Sequence, residues 1–107
     1  MSQSIPPPMR WLERVSKDLL DSFARLREAA QRGGRLDERV KRLCLVAAYA
    51  SNGCVECLVG CLREGLRMGL SLDEMLEAAS LAVLASGARA VMTVHRALEI
   101  LGRESRE

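Results

Sequence analysis

The sequence has 107 residues, the size of one modest domain, and 49% of them are hydrophobic. One Trp, one Tyr and one Phe are the only aromatic residues, so the core must be aliphatic. Short aliphatic helices often complete their burial against another subunit, and we therefore expect a homo-oligomer. The net charge of +2 comes from basic and acidic residues mixed along the chain, which argues against binding to nucleic acid or a membrane surface.

The N-terminal segment lacks the apolar stretch of a signal peptide, and no segment approaches the ~18 uncharged apolar residues of a membrane span. We therefore expect a cytoplasmic protein. Pro6, Pro7 and Pro8 predict a flexible leader over residues 1–8, followed by a single helical domain over residues 9–107. Four cysteines in a cytoplasmic chain favour redox or metal chemistry over a structural disulfide framework.

Apolar residues recur at three- and four-residue spacing along the chain, and no segment shows the period of two that is typical of strands. This pattern predicts an all-α fold of about five helices. They run over about 9–32, 36–51, 54–68, 72–86 and 88–101, and a capping box at Ser71 to Glu74 opens the fourth. The second helix is predicted to bury Val40, Leu43, Cys44 and Ala47.

Cys54 and Cys57 stand at the predicted start of the third helix. Residues three apart on a helix share a face with β-carbons about 5–6 Å apart. A disulfide needs about 4 Å, so this pair can close with a small adjustment. The free amides and the positive dipole end of a first helical turn also favour thiolate over thiol. We predict a redox-active pair, with buried packing thiols or half of a zinc site as alternatives.

Cys61 follows Cys57 by four residues and Cys54 by seven, so the three sulfurs fall on one helix face. Three thiolates are able to hold a soft metal, and this is the metal-binding alternative for the site. Zinc normally requires a second ligand pair, which the sequence does not provide. The prediction is therefore a site without a metal or cofactor.

The cysteines belong to a longer pattern. It comprises Leu36-Asp37-Glu38, Asn52-Gly53-Cys54 with Cys57, Gly65, Gly69, the run from Asp73 to Ala78, Gly87 and Ala97-Leu98. Over residues 36–102 the chain resembles the carboxymuconolactone decarboxylase-like superfamily, and within it the alkylhydroperoxidase D type of thiol peroxidase. The resemblance implies an all-α fold that assembles as a trimer or hexamer. True decarboxylases of the superfamily lack the cysteine pair, so their lactone chemistry is not expected.

The resemblance also implies roles for the cysteines. In the peroxidase branch the second cysteine attacks the peroxide and the first resolves it, which assigns attack to Cys57 and disulfide closure to Cys54. The implied substrate is a peroxide or a disulfide, and an external dithiol donor resets the pair. The alternative function is a non-catalytic helical oligomer that binds a soft metal or senses redox state through Cys54, Cys57 and Cys61. A third is a structural oligomer that has lost its chemistry.

Two positions depart from the peroxidase pattern. Its relay uses a histidine four residues after the second cysteine, where this chain has Cys61, and a glutamate twelve residues before the first, where it has Arg42. Arg42 stays protonated and cannot be a general base, so it is either an exposed helix arginine or a charge that favours a thiolate. Cys61 is open as an alternative resolving thiol, a metal ligand or a packing residue. Without the relay we expect slow or absent alkylhydroperoxidase turnover.

Three other residues are considered near the cysteine site on the basis of their chemistry: Glu38, Glu56 and His95. Glu38, one turn before Arg42, is a candidate substitute base or an ion-pair partner of Arg42. Glu56 is expected to be exposed and to oppose thiolate formation a little. His95, the only histidine, is predicted to be a partly buried core residue, with the missing base as its alternative role.

Three further side chains are expected to pack. Cys44 is predicted to be an inert thiol on a buried helix face. Tyr49 either packs in the core or lines the same pocket as Arg42. Trp11 is expected to anchor the first helix or a subunit contact.

Overall fold

The computed structural model describes residues 6–106, with side chains described up to residue 104, and it confirms the all-α prediction for this range. A 3-10 turn at Pro7–Met9 precedes six helices. They are α1 (Leu12–Val15), α2 (Lys17–Gln31), α3 (Glu38–Asn52), α4 (Val55–Arg67), α5 (Leu72–Ser86) and α6 (Ala88–Arg106). The described chain divides into two compact units, one ending at Arg35 and one beginning at Leu36. No helix in this range is long and apolar enough to cross a bilayer.

The first unit contains two helices where the sequence predicts one continuous helix over 9–32, so that prediction is wrong in its middle. Ser16 separates α1 from α2 in an extended conformation (φ −166°, ψ 147°). Its hydroxyl accepts a hydrogen bond of 3.0 Å from the amide of Leu19. A serine that caps a new helix competes with continuation of the previous one, and here the cap wins. The predicted leader falls mainly on residues 1–5, which lie outside the described residues.

The apolar side chains of the first unit are exposed in the single chain. None of residues 6–35 is buried. The large apolar residues with at least two-fifths of their surface exposed are Trp11, Val15, Leu19 and Leu26. The anchoring role predicted for Trp11 is therefore not made by burial of that side chain within the unit.

Helices α3 to α6 form the second unit, and their boundaries follow from local capping. The Asp37 side chain accepts from the Val40 amide at 2.9 Å and starts α3. The predicted capping box is confirmed, because Ser71 and Glu74 each accept a hydrogen bond from the other's backbone amide at the start of α5. Helix α6 follows α5 after Gly87 alone and runs five residues beyond the predicted end at 101.

The core of this unit is aliphatic, as predicted, but α3 turns a different face toward it. The buried residues of α3 are Arg42, Val46 and Ala50, and they meet Leu58 and Leu62 from α4, Met75 and Ala79 from α5, and Ala90 and Ala97 from α6. Val40 and Cys44, predicted to be buried, are exposed, and Leu43 and Ala47 are half-buried. The prediction failed because the buried face was drawn from apolar residues and cysteine and did not include Arg42. An arginine stem can pack against apolar surface while its charged end finds a polar partner.

Gly65→Ala is expected to lower the free energy of unfolding by about 1–2 kcal/mol, although alanine is the better helix former. A β-carbon at Gly65 would overlap Sδ of Met75 and lie 3.2 Å from its Cε. Met75 is fully buried, so its side chain has little room to move away.

Gly60→Ala is the matched control on the same helix. A β-carbon there meets no atom within 4 Å, and the substitution is expected to raise the free energy of unfolding by up to about 1 kcal/mol. Urea unfolding of both variants measures the difference. Equal effects of the two substitutions would show that Met75 has room to move away from a side chain at position 65.

Candidate active site

The turn between α3 and α4 places Cys54 and Cys57 together, as the sequence predicts. Gly53 ends α3 in the left-handed region (φ 81°), which glycine adopts without strain. The amides of Gly53 and Cys54 both donate to the carbonyl of Tyr49, at 3.1 and 3.2 Å. Cys54 and Cys57 are joined by a disulfide, with their Cα atoms 5.3 Å apart. Both residues are half-buried, so the bond is neither sealed in the core nor fully exposed.

Cys54 occupies the N-cap of α4, a position where serine, threonine or aspartate is usual. Its side chain accepts no capping hydrogen bond. A thiolate released there by reduction would meet the first-turn amides and the positive end of the helix dipole. The position thus favours the ionised form of a reduced cysteine, which is the form that attacks peroxides and disulfides. Glu56, between the two cysteines, is exposed as predicted.

Arg42 and Cys61, the residues at the relay positions, contact each other. Cys61 lies one turn after Cys57 on α4, and Arg42 lies on α3. The guanidinium Nη1 of Arg42 donates to Sγ of Cys61 at 3.5 Å. The Cys61 thiol in turn donates to the Arg42 carbonyl at 3.9 Å. Arg42 is 8% exposed and Cys61 is 2% exposed, so this is a buried pair. The interpretation of Arg42 as an exposed helix arginine is wrong.

The stem of Arg42 packs against α4 beside Gly65. The Cγ of Arg42 lies 3.5 Å from the point where a β-carbon of Gly65 would be, which is an ordinary van der Waals distance. The charged end of Arg42 reaches the sulfur of Cys61 on the same helix.

Cys61 is a neutral thiol rather than a thiolate. Burial raises the pKa of the Cys61 thiol, and the hydrogen bond and positive charge of Arg42 lower it by less than burial raises it. The neutral form is also the only form that can donate to the Arg42 carbonyl. This fits the packing role for Cys61 better than the role of an alternative resolving thiol.

In the folded oxidised protein, iodoacetamide at pH 8 is expected to label Cys44 at least about tenfold faster than Cys61. Cys44 is free and exposed, whereas Cys61 is free and buried. The pKa of Cys61 is raised from the ordinary thiol value of 9.0. The labelling rate of Cys61 should therefore keep increasing as the pH rises above 9.0. Peptide mapping by mass spectrometry measures both rates, and denaturant should remove the difference. Equal labelling without denaturant would contradict the burial of Cys61.

The other predicted site residues differ in their surroundings. His95 is exposed rather than a core residue, and its Nε2 lies 3.6 Å from the Glu99 carboxylate on the same helix, which leaves its role as the missing base without support. Cys44 is exposed, so its prediction as a buried thiol is wrong. Glu38 is exposed as well. Tyr49 is half-buried and packs against the core.

The metal-binding alternative receives no support from the geometry. Among the side chains of residues 6–104, no three of His, Cys, Asp or Glu are grouped so that they could hold a metal ion. Cys54 and Cys57 form a disulfide with each other, and Cys61 is hydrogen-bonded to Arg42. The three sulfurs share a helix face, but they do not form one ligand set.

The sequence did not reveal an open cleft of about 680 Å³ beside the cysteine turn. Its polar lining residues are Tyr49, Ser51, Asn52, Ser86 and Arg89. They come from α3, the end of α5 and the start of α6, so no local spacing links them. Asn52-Gly53 predicts the turn between α3 and α4. No sequence pattern relates this turn to Arg89, which lies 36 residues after Gly53.

Comparison with known proteins finds similarity to one protein family, in sequence and in structure. The profile of the carboxymuconolactone decarboxylase family matches residues 17–99, and so begins earlier than the resemblance from residue 36. No curated protein sequence matches this chain.

Two solved structures illustrate the similarity. A carboxymuconolactone decarboxylase family protein from Legionella pneumophila has a TM-score of 0.77 and 24% identity, over 88% of this chain and 83% of the other. A Thermotoga maritima protein of the same family has a TM-score of 0.71 and 27% identity, over 80% of this chain and 89% of the other. Involvement in an antioxidative response has been suggested for the Thermotoga protein. The Legionella structure supports the fold alone.

Proposed function

Because the chain belongs to the carboxymuconolactone decarboxylase family and carries a closed cysteine pair at the start of a helix, we propose that it is a thiol-dependent oxidoreductase. Its substrates are peroxides or disulfides, and the Cys54–Cys57 disulfide is the oxidised state of its cycle. The observation that carries this proposal is the placement of both cysteines on the uncapped first turn of α4. The role suggested for the Thermotoga relative is of the same kind.

In the proposed cycle, the Cys57 thiolate attacks a peroxide oxygen, the O–O bond breaks, and an alcohol or water leaves. Cys57 becomes a sulfenic acid. The Cys54 thiolate then attacks the Cys57 sulfur, the S–S bond forms and water leaves. An external dithiol donates two electrons and returns both cysteines to thiols.

The missing relay sets the speed of this cycle. Arg42 stays protonated, and Cys61 is held as a neutral thiol, so neither can take a proton from Cys57 near neutral pH. Activation of Cys57 therefore depends on the helix start alone. We propose a slow peroxidase or disulfide reductase rather than a fast alkylhydroperoxidase.

The test is stopped-flow mixing of reduced protein with hydrogen peroxide near pH 7. The expected result is a loss of two thiols per chain, with a first step about tenfold faster than free cysteine. A free thiol is only a few per cent ionised at this pH, and ionisation raises its reactivity more than the lower basicity reduces it. A rate equal to that of free cysteine, or loss of Cys44 in place of the pair, would contradict the proposal.

We also propose that the protein acts as a homo-oligomer. Exposed apolar residues extend beyond the first unit onto α5 and α6 of the second, where Leu81, Leu84, Val91 and Met92 are each more than half exposed. Exposed apolar residues in this number are typical of subunit contacts. Sedimentation velocity tests this proposal, and a particle of 11.8 kDa at micromolar concentration would contradict it.

A further inference from the structure

The cleft beside the cysteine turn joins that turn to a positively charged side chain. Asn52 and Tyr49 line the cleft on α3, and the Tyr49 carbonyl accepts the hydrogen bond from the Cys54 amide. On the opposite side, Cδ of Arg89 lies 3.3 Å from the β-carbon position of Gly53. Gly53 is the residue before Cys54, so the arginine stem lies against the segment that presents the disulfide.

The Arg89 guanidinium is available to a ligand. Arg89 is exposed, and none of the ion pairs among the described side chains includes it. Its backbone carbonyl is fixed by the Thr93 hydroxyl, which donates to it at 2.7 Å. That bond is local to α6 and does not involve the charged end of Arg89, which is left to bind an anion.

The rest of the lining mixes polar residues with Ala48 and Ala85, and it contains no acid. The hydroxyls of Ser51 and Ser86 hydrogen-bond to each other across α3 and α5, and Ser86 also donates to the Ser51 carbonyl at 3.0 Å. Both serine protons are used in these bonds, so the Asn52 side-chain amide and the Tyr49 hydroxyl are the lining groups other than Arg89 that can donate to a bound carboxylate. The carbonyl ends of α3 and α5 disfavour negative charge and the start of α6 favours it, so the full positive charge in the cleft comes from Arg89.

We propose that this cleft is the substrate-binding site and that it selects small substrates that carry a carboxylate. The inference rests on the proposed function, because it concerns the substrate class of the same cysteine pair. Arg89 is the specificity-determining residue: its fork of N–H groups binds the carboxylate. The reactive S–S or O–O bond of the substrate then lies next to the turn that carries Cys54.

The kinetic test compares three disulfides of different charge as oxidants of the reduced protein. They are 3,3′-dithiodipropionate (anionic), bis(2-hydroxyethyl) disulfide (neutral) and cystamine (cationic). Cys57 attacks the probe, one thiol leaves, Cys54 closes the protein disulfide and the second thiol leaves, so two electrons pass to the probe. Each rate constant is divided by that of dithiothreitol with the same probe, which removes intrinsic differences in reactivity.

In the wild-type protein the normalised rate is expected to be about fivefold higher for the anionic than for the neutral probe, and lowest for the cationic one. Arg89→Gln should bring the anionic-to-neutral ratio close to one. Arg96→Gln removes an exposed arginine from the same helix outside the cleft and should keep the ratio. Higher salt should also lower the ratio. Equal normalised rates for the three probes in the wild type would overturn the inference.

A binding measurement separates this inference from the proposed function. The thioether 3,3′-thiodipropionate carries the same carboxylates but cannot be reduced, so calorimetry with the oxidised protein reports binding alone. Saturable binding that Arg89→Gln weakens about fivefold and Arg96→Gln leaves unchanged is the expected result. Absence of binding overturns the inference even if the cysteine pair reacts. Absence of reaction with every probe overturns the proposed function and leaves the binding result to decide the cleft.

Discussion

Cys57→Ser is expected to slow the reaction of the reduced protein with hydrogen peroxide by about tenfold or more, to no faster than free cysteine. Cys57 lies within the first turn of α4, where the uncapped amides and the helix dipole favour its thiolate. A serine hydroxyl is not ionised near neutral pH and cannot replace it. Stopped-flow mixing of pre-reduced protein with excess peroxide measures the effect.

Two further variants make that result specific. Cys44→Ser removes an exposed thiol outside the site and should leave the fast step unchanged. Cys54→Ser should keep the fast step but prevent disulfide closure, so Cys57 sulfenic acid should accumulate and be trapped by dimedone. If Cys54→Ser abolished the fast step and Cys57→Ser preserved it, the roles of the two cysteines would be reversed.

The double substitution Arg42→Glu with Cys61→His is expected to raise peroxide turnover by about a hundredfold. The peroxidase branch that the chain resembles uses glutamate and histidine at these positions. Here the guanidinium of Arg42 and the sulfur of Cys61 are 3.5 Å apart, so replacement side chains would stand next to each other. Position 61 lies one turn after Cys57 on α4, which suits a group that accepts the Cys57 proton, and position 42 on α3 lies beside it.

The matched control for this prediction is Arg42→Gln with Cys61→Asn, which provides similar shapes but no general base. The single Arg42→Glu variant buries a carboxylate without a cationic partner and should be less stable than the double variant by about 3 kcal/mol. Circular dichroism and thermal melting confirm folding before turnover is compared. A folded double variant no faster than the control would show that these positions do not communicate with Cys57.

The cysteine site was largely predictable because it is local. Cys54 and Cys57 are three residues apart, Asn52-Gly53 breaks the helix before them, and the geometry of a first helical turn requires no tertiary information. The capping box at Ser71 and Glu74 was predictable for the same reason. The structure confirms the capping box and the proximity of the two cysteines.

The surroundings of the site were not predictable because they depend on tertiary packing. Burial of Arg42 depends on packing of its stem against α4 and on a sulfur acceptor on that helix, neither of which hydrophobic periodicity can detect. The same limitation explains the wrong prediction for Cys44. The buried face of α3 includes Arg42, and Cys44 lies outside that face at the surface. His95 was assigned to the core from its apolar neighbours, yet the buried positions of its helix are Ala90, Thr93 and Ala97.

The most direct test of the central claim is a redox titration of the Cys54–Cys57 pair, read by thiol alkylation and mass spectrometry across dithiothreitol or glutathione buffers. The expected result is a single reversible two-electron transition, with a midpoint between about −280 and −180 mV, the range of dithiol proteins that exchange electrons with cellular thiols. Cys61→Ser should leave that transition in place, because Cys61 is hydrogen-bonded to Arg42 and takes no part in the Cys54–Cys57 disulfide. A pair that stays reduced throughout that range, or a disulfide that opens only when the protein unfolds, would contradict the account.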